Sequence, residues 1–219
     1  MSKYQKLFDD GYFFGKMDDL GIDMDDFVKI TNQIINKSES GFEANYVYTQ
    51  QAENLPYSID ISEVSERKKY LENNPHIKPI SSSYQMKNKD DNKHFFEYFR
   101  RMIENFIPNV FEDLNKNNIG INDSIQLYKN GDFLNPHTDN HVGNCVMIIY
   151  FSKNENYNDS GKLNMVNDGI GDFKILDSLD PVIGNYSLFE LKTHNKRHEV
   201  AKVYGDFERY AYLAQIKKI

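Results

Sequence analysis

The hydrophobic pattern of this chain changes period near its middle. In the first half apolar residues recur at helical spacing. Asp25 to Asn36 carries Phe27, Ile30, Ile34 and Ile35 on one side, the stripe of an amphipathic helix. Lys93 to Asn115 is the clearest helical stretch. Phe95, Phe99, Met102, Ile103, Phe106, Val110 and Leu114 share a face there, and Pro108 should kink or break the helix. These aromatics read as core packing against a sheet. Asn45 to Thr49 reads as an early strand, with a looser stretch from Gln50 to Asp60 behind it.

In the second half, short apolar runs alternate with turn residues. The runs are Ile125–Lys129, Cys145–Phe151, Lys162–Val166, Phe173–Ile175, Ser187–Leu191, His198–Val203 and Tyr210–Ile216. Asn130-Gly131, Asp159-Ser160-Gly161, Asp168-Gly169, Pro181, Gly184 and Gly205-Asp206 separate them. Many short strands at this spacing point to a double-sheet or barrel architecture. Helices first and strands later make the fold class α+β, with the helices covering one outer face of the sheet.

Composition narrows the picture. At 219 residues the chain suits one domain, 1–219, with 1–120 a mainly helical support and 121–219 the strand-rich core. The aromatic fraction of 14% supplies enough large apolar side chains for a packed interior. No run is long and apolar enough to cross a bilayer, and MSKYQKLFDD has no secretory h-region, so a cytoplasmic location is expected. Cys145 is the only cysteine, which excludes an internal disulfide and a multi-thiolate zinc site, and fits a reducing compartment. A net charge of −7 argues against a nucleic-acid partner.

The candidate chemistry lies in the second half. His137-Thr138-Asp139, if extended, puts His137 and Asp139 on one side. His198 opens a later strand. Two imidazoles and one carboxylate make the facial triad that suits non-haem Fe(II) and leaves positions open for O2 and a co-substrate. Arg209 follows the Gly205-Asp206 turn and opens the last strand, where its planar fork could pair with a carboxylate. His194 reads as a loop residue and His141 as a pocket or loop residue. Glu199 should face away from His198, Arg197 reads as a surface or rim cation, and Cys145 as a buried thiol.

Together these segments resemble the Fe(II)- and 2-oxoglutarate-dependent dioxygenases, in their prolyl hydroxylase-like branch. The resemblance runs from Ile125 to Gln215 and is carried by LYKNGDFLNPHTD, CVMIIYFS, SGKLNMV, HEV and ERYAYLAQ. It implies a double-stranded β-helix, or jelly-roll, core with N-terminal helices. It implies His137, Asp139 and His198 as iron ligands and Arg209 as the partner of the far carboxylate of 2-oxoglutarate. Tyr150 and Tyr128 match tyrosines that line the co-substrate site in that family, and Leu163 matches the apolar residue that packs beside it. The Gly pair usual before that Leu reads Ser160-Gly161-Lys162 here, a departure, and the polar loop Ser152 to Ser160 should run differently. Asp139 favours hydroxylation over halogenation.

The implied activity is hydroxylation of an unactivated C–H bond, with succinate and CO2 as co-products. Fe(II), 2-oxoglutarate and O2 are required, with room for ascorbate. The substrate is a peptide, prolyl residues included, or a small molecule. Tyr46 to Ile61 and Asn167 to Asp180 are the expected rim loops. The alternative is a non-catalytic, cupin-like jelly roll that holds a metal or a sugar. A third reading is an interaction domain that binds a partner through its aromatic helical half. No residue pattern specifies an oligomeric state.

Overall fold

The computed structural model describes residues 3–37, 41–48, 79–86, 90–139, 143–167, 174–194 and 196–219. Helix α1 (Gln5–Asp10) leads into strand β1 (Tyr12–Lys16), and α2 (Met24–Ile35) precedes β2 (Phe42–Tyr48) and β3 (Pro79–Met86). Helix α3 (Lys93–Phe106) is followed by β4 (Ile119–Tyr128), β5 (Phe133–His137), β6 (Cys145–Tyr150), β7 (Leu163–Val166), β8 (Ile175–Leu179), β9 (Asn185–Glu190), β10 (His198–Val200) and β11 (Arg209–Lys218).

The strands form one antiparallel, nearly closed barrel in the order β1-β9-β6-β11-β4-β3-β5-β10-β7-β8, with β2 attached to β3. Its two terminal strands approach through side chains: Tyr12 on β1 donates its hydroxyl to Asp177 on β8, and Lys6 pairs with the same carboxylate at 2.9 Å.

Strand alternation sorts side chains to two faces. Met147 and Ile149 of β6 and Phe151 just beyond it join a cluster that also takes Phe95, Phe99, Ile103 and Phe106 of α3. The intervening Val146, Ile148 and Tyr150 face the barrel interior with Leu163, Met165, Phe189 and Ala211. The helices therefore cover one outer face, as the pattern predicts. The Asp23 carboxylate caps α2 by accepting from the Asp25 and Asp26 N–H groups.

Three features correct the sequence reading. Residues 1–120 are not mainly helical support, because β1 and β3 are built into the barrel. Their sequences, YFFGK and PISSSYQM, carry too short or too polar an alternation to stand out. Helix α3 stops at Phe106, and Ile107–Asn109 continues as one 3-10 turn because Pro108 cannot donate to an α-helical ladder. The strand read at Phe173–Ile175 lies later, at Ile175–Leu179, and the strand read at His198–Val203 ends at Val200. Gln50 to Asp60 lies outside the described residues.

The helix–sheet contact is anchored by stacked rings. Phe99 lies 4.3 Å from Tyr212 at 13° and 5.8 Å from Phe151 at 28°. Beside it, Arg100 grips the buried Asp123 with two bonds of 2.7 and 2.8 Å, and the Tyr212 hydroxyl donates to the same carboxylate. Phe99→Ala should therefore lower the unfolding free energy by about 3–5 kcal/mol. The measurement is the urea midpoint at unchanged slope, and a loss below about 1 kcal/mol would show that this stack does not hold the helix.

Candidate active site

The site starts from strand register. β10 pairs with β5 so that His198 stands opposite His137, and His198 also stands opposite Met165 of β7. Antiparallel partners share a face, so the register brings two imidazoles together from positions far apart in sequence. Their ring centroids are 4.3 Å apart. His137 is the last residue of β5, so Asp139 lies just beyond the strand rather than on it. The turn still carries its carboxylate between the rings: Oδ1 is 3.5 Å from His137 Nε2 and Oδ2 is 3.4 Å from His198 Nε2. One ligand atom from each of the three residues lies within 4.8 Å of the others.

The other ring nitrogens face main-chain carbonyls. His137 Nδ1 is 3.0 Å from the Asn135 oxygen and His198 Nδ1 is 3.3 Å from the Lys196 oxygen. These contacts fix the tautomer with Nδ1 protonated and leave both Nε2 lone pairs aimed at Asp139. His198 is 3% exposed, and burial, reinforced by His137 and opposed by Asp139, pushes its pKa down to about 4. It is therefore neutral at pH 7. The His198 Nε2 lone pair and the Asp139 carboxylate converge without a proton of His198 between them, and they repel unless a cation sits among them. A cluster of two imidazoles and one carboxylate with open positions fits Fe(II). Phe189 stacks on His198 at 4.5 Å and 26°, holding the ring's plane.

Arg209 lies deeper. It is 1% exposed, and its Nε has no hydrogen-bond partner. Its guanidinium carbon sits 4.7 Å from the Tyr128 ring centre and 5.1 Å from that of Tyr150. Among the described residues no carboxylate pairs with it. Burial pushes both phenol pKa values up, against the pull of Arg209, so both tyrosines stay neutral donors. The Tyr150 hydroxyl is 3.3 Å from Ser187 Oγ, and the Tyr128 hydroxyl is 3.4 Å from Gln126 Oε1. Leu163 is fully buried in the interior cluster with Tyr150 and stands opposite Val200. The arrangement is a buried cation walled by two neutral phenols: a built place for an anion.

All seven site candidates of the sequence reading thus lie on the barrel's inner side or its rim. His194 is elsewhere, with Nε2 2.8 Å from the Phe8 carbonyl, and Glu199 turns away to accept from Asn164. His141 lies outside the described residues. Three contributors were not legible as such. Phe189 follows from parity on its strand, but its stacking partner comes from a strand across the barrel. Ser187 shows only as a small residue in an apolar run. Gly161 has φ +67°, and a side chain there would meet Val203 at 2.9 Å and the Arg209 stem at 3.3 Å. The reading Ser160-Gly161-Lys162 therefore keeps the one glycine that packing requires.

Glu190 organises the loop that leads to His198. Its carboxylate accepts from the Lys192, Thr193 and His194 N–H groups and from the Thr193 hydroxyl. Burial raises its pKa, but these hydrogen bonds outweigh burial and hold the carboxyl below the usual range. A depressed folded-state pKa contributes stability above the unfolded value, near 4.3, and loses it as pH falls through the folded value. Glu190→Gln should therefore destabilise by about 1–2 kcal/mol at pH 7. The gap to wild type should close below about pH 4, as read from denaturation curves across pH; a gap independent of pH would refute the carboxylate's role.

Residues 123–214 match the family model described as the 2OG-Fe(II) oxygenase superfamily. No curated protein sequence matches the chain. Solved structures share the fold. An oxidoreductase of the 2OG-Fe(II) oxygenase family from Burkholderia pseudomallei superposes with a TM-score of 0.59 at 13% identity, covering 97% of this chain and 88% of that one. A prolyl hydroxylase from Trichoplax adhaerens, in complex with a hypoxia inducible factor oxygen degradation domain peptide fragment, gives 0.58 at 18%, with 98% and 86% covered. SnoN, a non-heme alpha ketoglutarate dependent epimerase from nogalamycin biosynthesis, gives 0.56 at 8%, with 98% and 80% covered. No helix among the described residues is long and apolar enough to cross a membrane.

Proposed function

We propose that the chain is a 2OG-Fe(II) oxygenase of prolyl hydroxylase-like fold that hydroxylates an unactivated C–H bond of a peptidyl substrate, prolyl residues included, or of a small molecule. The observation that carries this reading is the pairing of the His137–Asp139–His198 cluster with a buried Arg209 that has no carboxylate partner among the described residues. In this reading His137, Asp139 and His198 hold Fe(II). Arg209 takes the far carboxylate of 2-oxoglutarate, Tyr150 and Tyr128 donate hydroxyls beside it, and Leu163 supplies the apolar wall.

When bound, Fe(II) with 2-oxoglutarate and O2 supplies the oxidation that releases succinate and CO2 and delivers oxygen to carbon. The chain's own part is positional. The Nδ1 contacts to Asn135 and Lys196 keep both Nε2 lone pairs forward, and the Phe189 stack fixes the angle of His198. Arg209, held rigidly between two rings, sets how deep a dicarboxylate enters. The apolar wall of Val146, Ile148, Leu163 and Met165 excludes water from the reacting carbon.

The test is spectroscopic and anaerobic. Fe(II) and then 2-oxoglutarate are added to the metal-free protein, and the charge-transfer band of the chelated complex is recorded. The band is expected in wild type and absent in His137→Ala and His198→Ala, which should also make no succinate in air. Retained succinate formation in His137→Ala would overturn the ligand assignment. Arg209→Ala should keep Fe(II) and weaken 2-oxoglutarate at least about tenfold, the scale of a charge-assisted hydrogen bond. Iron binding without the band in wild type would favour the metal-binding jelly roll instead.

A further inference from the structure

Ser187 is a hydroxyl where packing asks for none. It lies on β9 in the run from Tyr186 to Phe189, and it is fully buried. Its cross-strand partners are Ile148 on β6 and Phe14 on β1. A hydroxyl in such surroundings costs free energy unless it is hydrogen-bonded. Ser187 Oγ has one hydrogen-bond partner among the described residues, the Tyr150 hydroxyl, with the two oxygens 3.3 Å apart. Tyr150 is the next inward residue of β6 after Ile148, so it stands diagonal to Ser187, a spacing that an aromatic side chain reaches.

Counting donors shows what this pair can do. Each hydroxyl can donate or accept, so either one can give its proton to the other. A guanidinium only donates, so any bond that Arg209 makes to Tyr150 ends on the phenol oxygen. Burial pushes the Tyr150 pKa up, and the charge of Arg209 and hydrogen bonds from Ser187 and Arg209 act against it. When Ser187 and Arg209 both donate, the phenol oxygen is satisfied as an acceptor, and its own proton has no acceptor within the trio. Arg209 Nε is likewise a buried donor without a partner. The guanidinium carbon lies 5.1 Å from the Tyr150 ring centre, so the two donors stand at one place. With no anion present the Tyr150 proton can rest on Ser187 Oγ. An anion beside Arg209 reverses that bond.

We infer that Ser187 is a positioning residue for anion binding: it turns its hydroxyl to donate to Tyr150 and so releases the Tyr150 proton to an anion held by Arg209. That this anion is the far carboxylate of 2-oxoglutarate rests on the oxygenase reading of the same site. Ser187→Ala takes away the donor that supports the phenol oxygen and leaves the ring itself in place. Phe189, the next inward residue of β9, stacks on His198, so the same strand face serves the metal-ligand cluster through a different side chain.

The test is a double-mutant cycle on the full chain loaded with Zn(II), which allows binding without turnover. Calorimetry gives the 2-oxoglutarate affinity of wild type, Ser187→Ala, Tyr150→Phe and the double variant. Ser187→Ala should bind about fivefold more weakly, the scale of one net hydrogen bond. In the Tyr150→Phe background the same change should cost nothing further, because Ser187 acts only through the phenol hydroxyl. Zinc affinity should be the same in all four proteins. The inference is overturned if Ser187→Ala binds as wild type does, if its effect is as large in the Tyr150→Phe background, or if zinc affinity falls with it. The cycle is repeated on the metal-free chain with glutarate, which has both carboxylates and no keto oxygen to offer a metal. If 2-oxoglutarate binds the zinc form no more tightly than glutarate does, the oxygenase reading fails, and the glutarate cycle still decides the role of Ser187. If neither anion binds wild type, the inference falls.

Discussion

The cross-strand pairing of His198 with His137 is the constraint on which the site depends. β10 has only three residues, and it is held on both sides, by β5 and by β7. A slip of one residue would turn His198 outward and bring Glu199 in, because neighbouring strand positions face opposite sides. What prevents the slip is not β10 itself but the apolar set around it. Val200 must stay in the cluster with Tyr128, Val203 and Phe207, and it shares parity with His198. Packing of one valine thus fixes the face of the imidazole beside it. On the outer side, the bond from Asn164 to Glu199 holds the complementary parity.

The same alternation explains why helices are needed at all. The strands β6, β9 and β11 are buried on both faces, one toward the interior and one toward α3. A sheet so apolar on its outside must be covered. Phe99, stacked on Tyr212, and the Arg100–Asp123–Tyr212 set tie the cover to β4 and β11, the strands that also carry Tyr128 and Arg209 on their other face. The support and the site are two sides of the same residues' backbone.

Much of this was legible in the sequence, and the reason lies in local pattern. Amphipathic periodicity located α2 and α3. The apolar runs located most of the core strands, and the polar residues that broke those runs, His137, Asp139, His198 and Arg209, marked the interior by being out of place. What was not legible depended on partners distant in sequence. β1 and β3 read as strands only once β9, β4 and β5 offer them edges. Phe189 looks like any core aromatic until His198 arrives across the barrel.

The interior also carries an electrostatic gradient that follows from its construction. At the closed end a guanidinium is buried without a carboxylate among the described residues, an arrangement that is normally costly. The faces of Tyr128 and Tyr150 offset part of that cost through their ring quadrupoles, and the Ser187 contact holds the Tyr150 hydroxyl close by. In the proposed reading the rest is recovered when a dicarboxylate pairs with Arg209, so that ligand would stabilise the folded state by mass action. At the open end the polar groups are uncharged amides, on Asn122 and Gln215, that water satisfies equally well. In the proposed reading a dicarboxylate is held by charge at the deep end. The buried cation and the exposed amides are separated along β4 and β11 by the run from Tyr128 to Asn122 and from Arg209 to Gln215, so the low-dielectric end that strengthens charge pairing lies well away from the solvated one.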